Sequence, residues 1–248
     1  MSGPDDAHAA AAASFGAAAG VYERARPDYP AAALDWLLPP GARRVLDLGA
    51  GTGKLTRLLR ARGLEVTAVE PSAGMRAELE RAVPGVRSLA GRAEQVPLAD
   101  GAVDAVLVAQ AWHWVDPAGA VPEVARVLAP GGRLGLVWNV RDESHEWVAR
   151  LGELLDGGGR PNDTSVDPQV GPPFGQLETR TVAWTHETTP EGLVELAASR
   201  SYVILLPEDE RAALLGRVRS LLASHPDLAG RSSIALPYLT RCYRAALA

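Results

Sequence analysis

The apolar positions of this chain change their period repeatedly, and the changes mark the elements. Arg44–Leu48, Glu65–Glu70, Val86–Ala90, Ala102–Ala109 and Arg133–Trp138 are short apolar runs bounded by charged residues, Gly or Pro, and they predict buried strands. Between them, Lys54–Arg62, Ala73–Val83 and Ala118–Leu128 carry helical spacing. Gly63 stops the first of these helices, and Pro130-Gly131-Gly132 stops the last. Strands alternating with helices predict right-handed crossovers and a parallel sheet covered by helices on both faces.

The flanks follow a different rhythm. Residues 1–13 are polar and then Ala-rich, and are expected to be a disordered tail. A helix is expected from Ser14 to Arg24, broken by Arg26-Pro-Asp-Tyr-Pro30. A second begins near Pro30, turns Trp36, Leu37 and Leu38 inward, and ends at Pro39-Pro40-Gly41. Beyond Trp147 the alternation lapses into a loop-like stretch from Gly157 to Pro173. Leu177–Glu187 and Ser232–Tyr243 then read as strands, with helices at Glu191–Ser199 and Glu208–Ala223. The expected architecture is α/β: a Rossmann-like, seven-stranded, mostly parallel sheet within a single domain, 14–248. Lid helices (14–40) would precede the sheet, and a helical insertion (about 188–230) would form a cap near the C-terminus.

Composition narrows the partners. The 248 residues are 47% hydrophobic and 22% charged, with 25 Lys plus Arg against 30 Asp plus Glu and a net charge of −5. That balance argues against a nucleic-acid footprint, and no basic block suggests an anionic membrane surface. No run reaches the length of a membrane span. Cys242 is the single cysteine, so neither an intrachain disulfide nor a cysteine metal cluster can form, and a reducing cytoplasm is the natural compartment. His8, His145, His186 and His225 lack zinc-like spacing, and no metal is expected.

The strongest local signal is Val45-Leu-Asp47-Leu-Gly49-Ala-Gly51-Thr52-Gly53-Lys54, which runs from a buried strand through three glycines into a helix. Such a turn lets a ligand approach the main chain and offers unpaired N–H groups at a helix start. It belongs at the carboxyl end of a parallel sheet, where nucleoside-bearing ligands bind. A P-loop is a poor match, because Leu48 stands where its first Gly belongs and Leu55 follows Lys54. The dinucleotide fingerprint requires a small residue near position 54, where Lys54 stands, which leaves NAD disfavoured but open.

The turn is followed in order by Glu70 at the end of a strand, Pro71-Ser-Ala-Gly-Met75, Gly91-Arg-Ala93-Glu94, Val96-Pro97 and Asp100-Gly-Ala-Val-Asp104. This set resembles class I S-adenosylmethionine-dependent methyltransferases of the type-11 family, well over residues 14–145. More loosely it is similar to their trans-aconitate-methyltransferase-like branch, with the Phe15…Tyr22…Arg26-Pro-Asp-Tyr-Pro30 leader suiting that branch. The resemblance implies that S-adenosylmethionine is held by Asp47, Gly49, Gly51, Thr52 and Gly53, with Glu70 on the ribose hydroxyls. Pro71 and Met75 would lie near the adenine, Ala93 and Glu94 beside the purine edge, Gln110 and Ala111 at the methionine portion, and Tyr22 and Arg26 in the lid.

Methyl transfer is an in-line displacement, so the protein must align a nucleophile, exclude water and sometimes remove a proton. Ala109-Gln-Ala-Trp112-His113-Trp114 ends the fourth strand of that fold, beside the methyl. Trp114 can bear on the cofactor's cationic sulfur, and Trp112 and His113 can wall the acceptor pocket. His113 is the ionisable group there, as a general base, an orienting group or a structural imidazole. Asn139, Arg200 and Tyr202 are further substrate candidates, with capping and packing as the alternative for the last two. Arg141 and Asp142 are read as a mutual surface or hinge pair. The fourth strand lacks an Asn/Asp-Pro-Pro-aromatic motif, and Cys242 follows Arg241 rather than Pro, which argues against methylation of DNA adenine or pyrimidine carbons. A small-molecule acceptor and a monomer or homodimer are expected. The alternatives are attack at another carbon beside the sulfur, and a noncatalytic binding subunit.

Overall fold

The computed structural model describes residues 26–155 and 168–248. The expected tail, the first leader helix, Tyr22 and much of the Gly157–Pro173 stretch lie outside those residues. The chain divides into two compact units. One, the sheet unit, comprises Asp28–Asn139, Val166–Val182 and Thr240–Ala248; the other, the helical unit, comprises Met1–Pro27, Val140–Ser165 and Ala183–Leu239.

The elements run α1 (Ala31–Leu37), β1 (Arg44–Leu48), α2 (Lys54–Arg60), β2 (Glu65–Val69), α3 (Ala73–Ala82), β3 (Arg87–Leu89), β4 (Val103–Ala109) and a 3₁₀ turn at Trp112–Trp114. They continue with α4 (Pro117–Val127), β5 (Leu128–Arg141), α5 (Glu146–Leu155), β6 (Glu178–Thr188), α6 (Pro190–Ala198), α7 (Ser201–Ile204), α8 (Glu208–Ser224) and β7 (Ile234–Ala246). The seven strands form one sheet in the order β3-β2-β1-β4-β5-β7-β6. Pairings β2–β3, β1–β2, β1–β4 and β4–β5 are all parallel. This is the mostly parallel, Rossmann-like sheet expected from the alternating pattern.

In the sheet unit, the core follows from the apolar strand runs. Ala33, Leu34 and Leu37 of α1 pack on Val45, Val66, Ala105, Leu107 and Val137, together with Leu55 and Leu59 of α2. Leu37 is fully buried, whereas Trp36 and Leu38 sit at the edge of this cluster. Trp36 is instead covered by Arg244, whose guanidinium carbon lies 4.2 Å from the ring centroid.

The fifth strand differs from its prediction. It begins at Leu128, which pairs with Val103, loops out over Ala129–Gly132 and rejoins at Arg133 opposite Ala105. The Pro-Gly-Gly therefore forms an irregularity inside the strand rather than a separate turn before it. A Cβ on Gly132 would stand 2.8 Å from the Ala129 carbonyl oxygen, so the excursion closes only around a glycine.

Two helices of the helical unit were not anticipated. Trp147, Val148, Leu151 and Leu155 of α5 are buried on one stripe, in a cluster with Leu193 and Leu196 of α6 and Leu214, Val218 and Leu221 of α8. The adjoining Gly157-Gly158-Gly159 obscured that stripe in the sequence. The four-residue α7 is too short to give a periodic signal. Leu151 is 1% exposed at the centre of this cluster. Leu151→Ala should lower the free energy of unfolding by about 2–5 kcal/mol, measured by chemical denaturation.

Candidate active site at the carboxyl end of the sheet

The site candidates of the sheet unit converge because three strands end level. Leu48 of β1 is opposite Val69 of β2, and Asp47 is opposite Leu107 of β4. Where β1 stops, the Val69 carbonyl accepts from both Gly49 N–H (2.8 Å) and Ala50 N–H (3.1 Å). That double bond to one oxygen turns the chain sharply. Gly49 adopts φ +71°, and a Cβ there would stand 3.0 Å from the Ala111 Cβ, so β1 and the end of β4 approach more closely than an L side chain allows. Gly53, at φ +93°, is the N-cap of α2. Gly51 and Thr52 lie between them, with Thr52 buried.

Two carboxylates flank the turn, and their surroundings differ. Asp47 is fully buried, and its Oδ2 accepts the Thr56 hydroxyl of α2 at 2.5 Å. Its Oδ1 has no hydrogen-bond partner among the described residues. Burial pushes its pKa from the ordinary 3.8 up to about 7, against the opposing pull of the Thr56 hydrogen bonds. Asp47 thus braces the turn from behind, against α2.

Glu70 faces the other way. Its Oε2 accepts Gly51 N–H at 3.0 Å and its Oε1 accepts Ser72 N–H at 2.9 Å. Burial raises its pKa, and the Ser72 and Gly51 N–H groups oppose the rise. A carboxylate has about four lone-pair sites, so each oxygen keeps capacity for a further donor. Met75 enters α3 behind Ser72, whose Oγ caps the helix by accepting Met75 N–H at 3.4 Å. Pro71 is exposed, and Arg76 donates to both the Glu70 and Pro71 carbonyls (2.7 and 2.8 Å). Ala93 is buried, while exposed Glu94 accepts Asp116 N–H on Oε1 at 3.0 Å, so it also braces the start of α4.

The end of β4 is held in an unusual backbone state. Gln110 has φ +57°, the one non-glycine at positive φ among the described residues. Its N–H donates to the Val137 carbonyl (2.9 Å) and its Nε2 to the Asn139 carbonyl (3.2 Å). Trp112 is buried; His113 and Trp114 are exposed, Trp114 to 54%, with their ring centroids 4.8 Å apart. The buried indole of Trp138 donates from Nε1 to His113 Nδ1 at 3.5 Å.

Asn139 is engaged at both ends of its amide. Its Nδ2 donates to the Asp28 carbonyl (3.0 Å), and its Oδ1 accepts the hydroxyl of fully buried Thr240 (2.6 Å). The Asp28 carboxylate in turn accepts Arg57 of α2 at 2.8 Å and lies 3.7 Å from Lys54 Nζ. Asn139 therefore fastens the Asp28 segment beside the glycine turn.

Arg26, Arg200 and Tyr202 belong to the helical unit. Arg200 is the N-cap residue of α7 and Tyr202 packs against that unit's apolar cluster. The Arg141–Asp142 reading is corrected. Arg141 is buried and pairs with Glu143 at 3.3 Å, while Asp142 accepts the Ser144 N–H and hydroxyl. Burial of a guanidinium demands a close acid, and Asp142 is committed to its own turn.

A family model described as a methyltransferase domain matches residues 46–136. An uncharacterized methyltransferase of Mycobacterium tuberculosis is 58% identical over 236 residues, 95% of this chain and 96% of that protein. The chain belongs to the methyltransferase family. A solved structure from Anaeromyxobacter dehalogenans, assigned as a type II methyltransferase, has a TM-score of 0.70 and 27% identity, covering 89% of this chain and 97% of that one. A Haemonchus contortus phosphoethanolamine N-methyltransferase, solved with phosphomonomethylethanolamine and S-adenosylhomocysteine, shares the fold at a TM-score of 0.50. It is 18% identical over 87% of this chain and 51% of its own. This methyltransferase is thus an enzyme of the class I fold.

Thr56, Asp28, Trp138 and Thr240 were missed as supports of the site. Asp28 lay within a motif already singled out, and Thr56 falls on the first turn of the helix leaving the glycine turn. Trp138 opens the Trp138–Asp142 segment, which leaves the fifth strand and resembles a recurrent segment of the expected branch, but its role as a support carries no local signal; nor does Thr240's, because each acts through a neighbour distant in sequence.

The Asp47 shift has a consequence for stability. Between the ordinary value of 3.8 and the folded value of about 7, the folded enzyme keeps a proton that the unfolded chain has released. Stability contributed by this group therefore falls as pH rises through that window and levels off above it. Asp47→Asn, which cannot titrate, should flatten that slope in thermal melts recorded from about pH 4 to 8, with the wild type losing ground to the variant as pH rises.

Proposed function

We propose that this methyltransferase binds S-adenosylmethionine at the Gly49–Gly53 turn and methylates an O, N or C atom of a small molecule at the end of β4. The observation that carries the reading is Glu70, buried at the end of β2 with one backbone N–H on each oxygen and lone pairs remaining on both. That arrangement fits a vicinal diol: two hydroxyls can each find one oxygen of a carboxylate whose orientation is already fixed. The glycine cradle at Gly49 leaves main chain, not side chain, facing the same edge. S-adenosylhomocysteine in a protein of this fold adds support.

In this reading Gly49, Gly51, Thr52 and Gly53 hold the cofactor through main chain, Glu70 through the ribose, and Pro71, Met75, Ala93 and Glu94 around the base. Asp47 supports the turn, Gln110 and Ala111 face the methionine portion, and Tyr22 and Arg26 belong to the leader. When bound, S-adenosylmethionine supplies an electrophilic methyl on a sulfonium, so the protein's task is alignment and exclusion of water. Gln110, held at positive φ by Val137 and Asn139, fixes the floor against which an acceptor is placed. Trp112, His113 and Trp114 form the wall. Membership of the trans-aconitate-methyltransferase-like branch is supported by the Arg26–Pro30 and Trp138–Asp142 segments.

No helix among the described residues is long and apolar enough to cross a membrane, which suits a small diffusible substrate. S-adenosylmethionine and S-adenosylhomocysteine should bind and raise the thermal midpoint, as any ligand selective for the folded state must. Glu70→Ala should weaken both by about 1–3 kcal/mol in calorimetry, because charge-assisted bonds to the hydroxyls are lost. Equal affinities in wild type and variant, or NADH binding in place of S-adenosylmethionine, would sink the reading. Transfer of a labelled methyl group into a metabolite extract, with S-adenosylhomocysteine rather than methylthioadenosine as coproduct, identifies the acceptor.

A further inference from the structure

We propose that Arg76 of α3 is the positioning residue for Glu70, holding the segment that aims its carboxylate at a vicinal diol. The inference rests on the proposed role of Glu70 toward the ribose, and it starts from three successive carbonyls. Glu70 and Pro71 accept from Arg76 Nη1 at 2.7 and 2.8 Å, and Ser72 accepts from the Arg76 main-chain N–H at 3.0 Å. One residue therefore serves every carbonyl between the end of β2 and the start of α3.

That segment cannot hold itself. Pro71 has no N–H, and its ring keeps Glu70 out of the helical region, so no helical turn can form there to bind these carbonyls. Arginine suits the task because its guanidinium presents several donors in a rigid fork, and Nη1 alone carries two hydrogens, one for each carbonyl.

The link to the carboxylate is direct. The Pro71 carbonyl and the Ser72 N–H belong to one planar peptide group, so fixing the first fixes the direction of the second. Ser72 N–H is the donor on Glu70 Oε1, at 2.9 Å. On the other side of the residue, Glu70 N–H donates to the Leu89 carbonyl of β3 at 3.1 Å. Arg76 thus sets one of the two N–H groups that define the carboxylate plane, and Gly51 supplies the other. The guanidinium also acts through space. Two charged groups bear on Glu70: Asp47 from β1, whose ionised form disfavours that of Glu70, and Arg76 from α3, which favours it against burial. In this role Arg76 acts through Glu70 and not on the ligand.

The test uses the full-length protein and S-adenosylhomocysteine. Arg76→Met keeps the length and the helix propensity of the side chain while removing its donors and its charge. Calorimetry should show affinity about tenfold weaker in Arg76→Met than in the wild type, but no more than about twofold weaker when the substitution is added to Glu70→Ala, because nothing is left to position. An equal loss in both backgrounds is what a tie that merely supports the fold would give, and it overturns the inference. A second readout needs no ligand. In protein carrying ¹³C-glutamate, the Glu70 carboxyl is assigned by its loss in Glu70→Gln. It should titrate at higher pH in Arg76→Met than in the wild type. Arg76→Gln, which also lacks the charge, gives the same comparison if the methionine variant does not fold. A titration that is unchanged or lower overturns the assignment. S-adenosylhomocysteine that fails to bind the wild type overturns the cofactor reading, and the inference falls with it; binding that is the same in wild type and Arg76→Met overturns the inference alone.

Discussion

One carbonyl governs the geometry of the site. Val69 C=O accepts the N–H groups of both Gly49 and Ala50, and so ends β1 where β2 also ends. The chain can satisfy both donors only by turning at once through a left-handed residue, which is why Gly49 stands there. With no Cβ in the way, Ala111 at the end of β4 closes on the turn, and three strand ends share one edge. Glu70, Gln110 and the Trp112–Trp114 turn are positioned by that edge. A side chain at Gly49 would have to displace the end of β4, and the residues following it, by several tenths of an ångström.

The two carboxylates at this edge differ in role because they meet different partners. Asp47 and Glu70 each lie in or just after a β-strand that pairs with the other, yet one points to α2 and the other to the turn. Asp47 receives a hydroxyl on one oxygen and nothing from the described residues on the other, so burial dominates and its proton is retained toward neutrality. Glu70 receives two backbone N–H bonds, which limit its rise and fix its plane. A carboxylate held in a fixed plane with lone pairs to spare suits recognition of hydroxyl donors; a sealed one with a single hydroxyl partner suits support.

Most of the fold was legible because it rests on local rules. Alternating apolar runs and helical spacing located the strands and the principal helices of the sheet unit, and glycines and prolines marked their ends. The strand around Pro130-Gly131-Gly132 was misdrawn because breaker residues read as a terminus, whereas pairing with Val103 and Ala105 resumes across them. The α5 stripe was overlooked where a glycine run followed it at once. In the site, the main-chain turn was recognisable from motif order, since it is contiguous in sequence. Their supports were not. The Asn139 amide joins Asp28 to Thr240, residues 111 and 101 positions away in the chain, and no period or motif records such a link.

That long-range linkage also accounts for the strained residue at the heart of the site. Gln110 pays for its positive φ with two hydrogen bonds to β5, one from its backbone and one from its side chain. The Asn139 carbonyl that accepts the side-chain bond belongs to a residue whose own amide is already committed at both ends. The strain is therefore imposed by a network with little freedom to relax. Beside it, buried Trp138 restrains His113 in the same manner, through a donor that cannot turn away. Under the proposed function an acceptor must be held in line with the bond being broken, and a rigid edge of the sheet serves that alignment. The amides of Gln110 and Asn139 are committed to holding the end of β4, so under the proposed function they contribute orientation rather than proton transfer.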